Sequence, residues 1–222
     1  TCELLLEFVH TEFDRIGAPR DLVQMLPTPI TKDATHELMR QADLIVATGS
    51  QANIRAAYSS GTPAFGVGAG NVAAIIDRSA DLDAAAARIA RSKTFDNATS
   101  CSSENSVVID AVVYDEAIEA LSRVGGVLVD ASDKTRLQQA LWPNGKLSGV
   151  LIAQSAPTIA ETAGLHLAKA HSAAFLMVEE DGFGPRCPFS GEKLSPVLTI
   201  YKAADFEDAV RIVSQIYAYQ GA

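Results

Sequence analysis

The sequence predicts an α/β protein built on parallel β-sheets. Its first eighty residues alternate between helical and apolar extended segments, the rhythm of βαβ units with helices on the faces of a sheet. The apolar segment 44–47 lacks polar alternation, which is typical of a strand covered on both faces. A hydrophobic content of 48% and a charged content of 20% fit a globular protein.

Helices and strands can be assigned along the chain from hydrophobic periodicity and capping residues. Ser79 is expected to cap the fourth helix and Asp205 the last one. The predicted helices cover residues 1–16, 32–41, 52–60, 81–93, 115–122, 134–141, 157–163 and 206–217. The predicted strands cover residues 22–26, 43–47, 64–67, 73–77, 106–113, 126–130, 174–179 and 197–201. Clustered glycines place the boundary between two blocks near Gly70.

Composition and charge exclude several classes of protein. The formal net charge of −9 argues against a general nucleic-acid binder, which needs a basic face. No apolar run approaches the roughly 20 residues that span a membrane. Three cysteines do not make a disulfide framework, so a reducing cytoplasm is the expected location. The four histidines are scattered without metal-ligand spacing, so no metal site is expected.

Both ends of the sequence are abrupt. It opens inside an amphipathic helix and stops just after another, without a closing strand. We therefore expect the chain to be a segment of a longer protein.

Cys101 is the main candidate for chemistry. It lies in a polar loop of small residues between a predicted helix and a predicted strand. A thiol on such a loop can be exposed and surrounded by backbone N–H donors, as a nucleophilic cysteine requires. A buried structural cysteine is the alternative, and the local residues leave both interpretations open.

Two turns and one acidic residue are further candidates. The glycine-rich run 66–71 approaches a dinucleotide fingerprint, but Asn71 replaces its last glycine and an apolar strand follows instead of a helix. This run is either a plain turn or a close backbone approach to a ligand. Gly49 and Ser50 precede a helix whose N-terminus could face a phosphate. Glu192 is either a solvated acid or an acceptor for ribose hydroxyls.

Taken together and in this order, these stretches resemble the aldehyde dehydrogenase superfamily. The similarity is greater to its CoA-acylating branch, which includes acylating acetaldehyde, propionaldehyde and sulfoacetaldehyde dehydrogenases. The matching segments are residues 47–49, 56–71, 92–97, 101, 103–107, 192–197 and 204–209. The stretches 175–180, 182–185 and 188–191 look most like acylating sulfoacetaldehyde dehydrogenases.

The resemblance implies a fold and a set of roles. Residues 1–70 would form part of a Rossmann-type NAD(P)-binding domain, and residues 71–222 an α/β catalytic domain. Cys101 would be the catalytic thiol, Glu192 would hold the nicotinamide ribose, and Gly49 and Ser50 would lie near the cofactor's phosphates. NAD or NADP would be the cofactor, CoA the co-substrate, and a homo-oligomer the assembly.

The resemblance also bears on the acyl acceptor. Hydrolytic members of the family carry a water-activating glutamate at the place of Gly66. A CoA thiol is partly ionised near neutral pH and needs such a base less than water does. Gly66, with Gly68 nearby, is also expected to leave room for the arm of CoA. The implied activity is oxidation of an aldehyde to an acyl-CoA through a cysteine thioester. A hydrolytic aldehyde dehydrogenase, an acyl-phosphate reductase and a non-catalytic nucleotide-binding domain are the alternatives.

Overall fold

The computed structural model describes residues 2–49, 51–68 and 70–221 of the 222-residue chain. The chain divides into two compact units, Thr1–Gly68 and Ala69–Ala222. Helices alternate with parallel strands in both units, which confirms the predicted α/β class. Among the helices described, none combines the length and the apolar composition needed to cross a membrane.

The first unit carries a two-stranded parallel sheet, β1–β2. Its elements are α1 (Cys2–Ile16), α2 (Lys32–Gln41), β1 (Ile45–Thr48), α3 (Gln51–Tyr58) and β2 (Ala64–Val67). Ile45 of β1 is buried, and so are Ile54 and Ala57 of α3. These apolar side chains form the interior of the unit.

Two predictions for the first unit are wrong. Residues 22–26 do not form a strand, because a 3-10 helix at Arg20–Leu22 is followed by irregular chain that pairs with none of the described strands. The strand at Ile45–Thr48 is not covered on both faces either. Val46 is 72% exposed while Ile45 is 7% exposed, so this strand packs on one face only.

The second unit is built on a five-stranded, wholly parallel sheet with the order β3-β4-β7-β6-β5. Its strands are β3 (Val72–Ile76), β4 (Glu104–Asp110), β5 (Gly126–Leu128), β6 (Phe175–Glu179) and β7 (Val197–Ala203). Its α-helices are α4 (Leu82–Thr94), α5 (Tyr114–Arg123), α6 (Ala131–Leu141), α7 (Ala156–Ala163) and α8 (Phe206–Tyr219). Short 3-10 helices lie at Phe95–Ala98, Pro143–Gly145, Ala168–Ser172 and Pro188–Ser190.

The centre of this sheet is the most deeply buried part of the unit. Val107, Val108 and Ile109 of β4 are each 0% exposed. Val107 and Ile109 join a core cluster that includes residues of α4 and α5, whereas Val108 joins one that includes residues of α8. This period of two is what a strand with helices on both faces produces. The result is a rigid platform for the loops at the ends of the strands.

Capping residues define where two of the helices begin. Asp81 caps α4 by accepting a hydrogen bond from a first-turn N–H, so the prediction that Ser79 caps this helix is wrong. Ser79 instead donates its hydroxyl hydrogen bond to Asp77. The predicted cap Asp205 of α8 is confirmed.

Candidate active site

Three neighbouring strands bring the candidate residues to one edge of the large sheet. Strands β3, β4 and β7 lie side by side and run parallel, so the loops that enter them share an edge. Gly70 lies two residues before β3, Cys101 three before β4 and Glu192 five before β7. Sheet topology therefore gathers residues that are far apart in the sequence.

Cys101 occupies a tight turn and is exposed. The N–H of Ser103 donates to the carbonyl of Ser100 at 3.0 Å, and the hydroxyls of Ser100 and Ser102 lie 2.9 Å apart. Among the residues that the structure describes, none accepts a hydrogen bond from the backbone N–H of Cys101 or Ser102. The alternative of a buried structural cysteine is wrong, and two backbone donors stand free beside the thiol.

An unusual backbone shapes the approach to this turn. Asp96, Asn97 and Ala98 all have positive φ angles, of 47°, 49° and 59°. Such angles are uncommon for residues other than glycine, so other contacts must hold them. The amide of Asn97 donates to the carbonyl of Ala153 at 2.8 Å, and the hydroxyl of Thr99 donates to the Asp96 carboxylate at 2.7 Å. These bonds fix the loop that presents Cys101.

Gly70 lies between the two main candidates and contacts both. A Cβ on Gly70 would lie 2.6 Å from the carbonyl oxygen of Cys101 and 3.3 Å from its Cβ. The backbone N–H of Gly70 donates a hydrogen bond to the Glu192 carboxylate. Only glycine allows this close approach, which places the thiol-bearing turn and the carboxylate beside one backbone position.

The environment of Glu192 suits a hydroxyl-bearing ligand. Its side chain is partly buried, and burial raises its pKa, while the Gly70 N–H and the charge of Lys193 act in the opposite direction. Each carboxylate oxygen can accept more than one hydrogen bond, so the backbone N–H leaves acceptor capacity unused. The residues present therefore fit a nicotinamide ribose, whose hydroxyl groups can donate to this carboxylate.

The other predicted site residues lie in the first unit. Gly49 follows β1 with a φ of 115°, which favours glycine at this turn. Ser50 lies outside the described residues. A Cβ on Gly68 would lie 2.4 Å from the side-chain nitrogen of Gln51, the mobile end of a long side chain.

The expectation that Gly66 leaves room for a ligand is wrong on the side where a side chain would project, because other residues fill that space. A Cβ there would lie 2.6 Å from Cγ2 of Ile54 and 2.9 Å from Cε2 of Tyr58. The N–H of Gly66 also donates to the Tyr58 hydroxyl at 3.0 Å. The absence of a side chain at position 66 lets α3 pack on β2 and does not leave an open cavity.

Several buried polar residues around Glu192 were not among the predicted site residues. Asn71 is 0% exposed, and its amide donates to the carbonyls of Ser190 at 2.9 Å and Gln220 at 2.8 Å. Lys93 and Lys193 are 1% and 0% exposed. Helical periodicity contains a signal for Lys93, which follows buried Ile89 and Ala90 of α4 at i+4 and i+3 and so shares their face.

Comparison with known proteins shows which family the chain matches. The model of the aldehyde dehydrogenase family matches residues 2–133. The chain is 64% identical over 222 residues to a sulfoacetaldehyde dehydrogenase (acylating) of Cupriavidus necator, covering 100% of this chain and 45% of that protein. The chain thus spans about half the length of curated relatives that it matches.

Two solved structures share its fold. An acetylating aldehyde dehydrogenase from Geobacillus thermoglucosidasius has a TM-score of 0.87 at 35% identity, over 94% of this chain and 46% of that one. A propionaldehyde dehydrogenase from Rhodopseudomonas palustris, solved with bound propionyl-CoA, has a TM-score of 0.85 at 25% identity, over 96% of this chain and 47% of that one. With more than half of its residues matched by the family model, the chain belongs to the aldehyde dehydrogenase family.

Proposed function

We propose that the protein carrying this chain oxidises an aldehyde to an acyl-CoA with NAD(P)+, through a thioester on Cys101. One observation carries the proposal. The exposed thiol of Cys101 lies on a turn where the N–H groups of Cys101 and Ser102 have no acceptor among the described residues, and Gly70 joins that turn to the Glu192 carboxylate. The acylating names of the relatives support the same reaction.

The chemistry at Cys101 follows from its surroundings. The thiolate adds to the aldehyde carbon and forms a thiohemiacetal alkoxide, which the N–H groups of Cys101 and Ser102 stabilise. The nicotinamide supplies the acceptor for the hydride that leaves this carbon. Cys101 is then left as an acyl thioester. The thiolate of CoA attacks the acyl carbon, the Cys101 thiolate departs, and acyl-CoA is released.

Glu192 contributes by orientation. Its carboxylate, which accepts a hydrogen bond from the Gly70 N–H, would also accept hydrogen bonds from the ribose hydroxyls of the cofactor. Gly49 and Ser50 are proposed to lie near the phosphates of the cofactor, at the start of α3. The contact with Glu192 would orient the nicotinamide for reaction at Cys101.

The glycine at position 66 favours CoA over water as the acyl acceptor. The hydrolytic members of the family carry a water-activating glutamate at this place. A side chain at position 66 would collide with Ile54 and Tyr58, so no carboxylate fits here without rearrangement. A thiol nucleophile, which is partly ionised near neutral pH, does not depend on such a base.

The substrate and setting complete the proposal. The relative from Cupriavidus necator is named for sulfoacetaldehyde, so we propose a short aldehyde of this kind as the substrate. Three free cysteines fit the reducing cytoplasm, and we propose a homo-oligomer as the working assembly. The net charge of −9 gives no general affinity for nucleic acid.

A CoA-dependence assay tests this function. The intact protein, with sulfoacetaldehyde and either NAD+ or NADP+, is expected to form reduced cofactor only when CoA is present. The Cys101→Ser variant should be inactive under both conditions. Equal rates with and without CoA would favour hydrolysis, and turnover that depends on phosphate would favour an acyl-phosphate reductase. Either result would contradict the proposal.

A further inference from the structure

The segment that carries Glu192 is irregular and depends on side chains for its shape. It runs between the 3-10 helix Pro188–Ser190 and strand β7, and of residues 191–196 only Pro196 forms a backbone bond to a neighbouring strand, accepting from the N–H of Leu176 in β6. The N–H of Glu192 donates to the side-chain oxygen of Gln220 at 3.0 Å. The N–H of Lys193 donates to the side-chain oxygen of Asn105, also at 3.0 Å. Buried backbone groups need such partners.

Lys193 makes the densest set of contacts in this segment. Its ammonium nitrogen Nζ donates to the carbonyl of Phe189 at 2.8 Å and to the carbonyl of Gly191 at 2.9 Å. Its backbone N–H is the one bound by Asn105. Because Gly191 and Lys193 are the neighbours of Glu192 in the chain, these bonds fix the peptide groups on both sides of that residue.

Burying the Lys193 amine without an ion-pair partner costs free energy. The residue is 0% exposed, and no described carboxylate lies within ion-pair distance of its nitrogen. Burial, aided by the charge of Lys93, holds the pKa of Lys193 well below its usual value. The Lys193 nitrogen is partnered instead by the carbonyls of Phe189 and Gly191, to which it donates. The side chain therefore acts as a double donor in a place where a permanent cation would be costly.

Lys93 provides a natural comparison. It is also buried, at 1% exposure, and its nitrogen donates to the carbonyl of Ser195 at 2.9 Å. This bond lies at the far end of the segment, where the chain enters β7. The two lysines thus share burial and chemistry, but only Lys193 binds the peptide groups next to Glu192.

We propose that Lys193 is a positioning residue that holds the Glu192 carboxylate in place beside Gly70 and Cys101. The inference rests on the proposed function, because it assumes that Glu192 orients the nicotinamide ribose. Lys193 itself touches neither substrate nor cofactor. Its removal should therefore weaken cofactor binding and leave the thiol of Cys101 reactive.

The test compares Lys193→Met with Lys93→Met in the intact protein, so that both variants lose a buried amine of the same size. Lys193→Met is expected to raise KM for the nicotinamide cofactor by about ten- to a hundred-fold, the effect of losing two buried hydrogen bonds. Acylation of Cys101 by acyl-CoA, followed by mass spectrometry without nicotinamide, should stay within about threefold of the unmodified protein. Lys93→Met should change cofactor KM by less than about threefold. Lys193→Gln, which keeps two donors, should restore part of the loss and carries the test if Lys193→Met does not fold.

A double-mutant cycle separates positioning from general structure. In a Glu192→Ala background, Lys193→Met should add little further increase in cofactor KM, because the group that it positions is gone. Full additivity, or an unchanged KM in Lys193→Met and Lys193→Gln, would overturn the inference. Failure of the unmodified protein to acylate Cys101 would instead overturn the proposed function, so the two failures are distinguishable.

Discussion

The substitution Gly70→Ala tests the geometry that joins Cys101 to Glu192. The added Cβ would lie 2.6 Å from the carbonyl oxygen of Cys101, whereas ordinary van der Waals contact begins at 3.4 Å. The difference, 3.4 minus 2.6, requires a relative shift of 0.8 Å. The obstructing atom belongs to the main chain, so no side-chain rotation can relieve the contact. The Cys101 turn, the Gly70 backbone or both must move.

A shift of this size should be visible in the rate. A misplacement of about 1 Å can cost on the order of a hundred-fold in catalysis, because reacting atoms lose their near-attack alignment. The same shift disturbs the hydrogen bond from the Gly70 N–H to Glu192. We expect kcat/KM for the aldehyde to fall by about a hundred-fold in a CoA-dependent assay of reduced-cofactor formation. Circular dichroism should show that the variant remains folded.

Gly149→Ala is the matched control. Gly149 is exposed and has no positive φ, and a Cβ added there would meet no atom within 4 Å, so the same chemical change meets open space. Its kcat/KM should match that of the unmodified protein. A Gly70→Ala variant that performs within about threefold of this control would refute the reasoning.

Three further substitutions give distinct outcomes. Burial lowers the pKa of Lys93 to about 7. Above this pH the amine is mostly deprotonated in the folded protein and protonated in the unfolded chain, so the unfolded chain binds more protons than the folded protein. The unfolding free energy should therefore rise with pH, by about 1 kcal/mol per pH unit from pH 7.5 to 8.5 for this residue. Lys93→Met should remove that increment from urea titrations, and an unaltered slope would contradict the burial argument. Asn71→Ala should lower the unfolding free energy by about 1–3 kcal/mol, because the buried carbonyl of Ser190 and the partly buried carbonyl of Gln220 lose their donor. A smaller change in urea unfolding would count against this pair of bonds. Gly66→Glu should lower the melting temperature without creating CoA-independent turnover, since its side chain collides with Tyr58; a folded variant that hydrolyses the aldehyde would oppose this interpretation.

Much of the second unit could be predicted from local pattern. The apolar run 107–109 favours a strand and Asp205 favours a helix start, so strand β4 and helix α8 lie close to their expected positions. The strand expected at 22–26 failed because apolar composition does not supply a hydrogen-bonding neighbour. Ser79 lost its expected role because Asp81, two residues later, offers a carboxylate acceptor to the first turn of α4.

The site was predictable only in part, for a physical reason. Local residues made Cys101 and Glu192 candidates, resemblance to a family assigned their roles, and the structure places both at the amino ends of paired strands. The contact of Gly70 with Cys101 arises from sheet order, which local sequence does not encode. The hydrogen bond that the Lys193 N–H donates to the side-chain oxygen of Asn105 joins residues 88 positions apart and has no local signal.

The most direct test of the account is acyl transfer to Cys101 itself. The intact protein, incubated with an acyl-CoA and no nicotinamide cofactor, should gain the mass of one acyl group. Peptide mapping should locate that group on Cys101, and free CoA should remove it. Labelling that persists in the Cys101→Ser variant, or that maps to Cys2 or Cys187, would contradict the account.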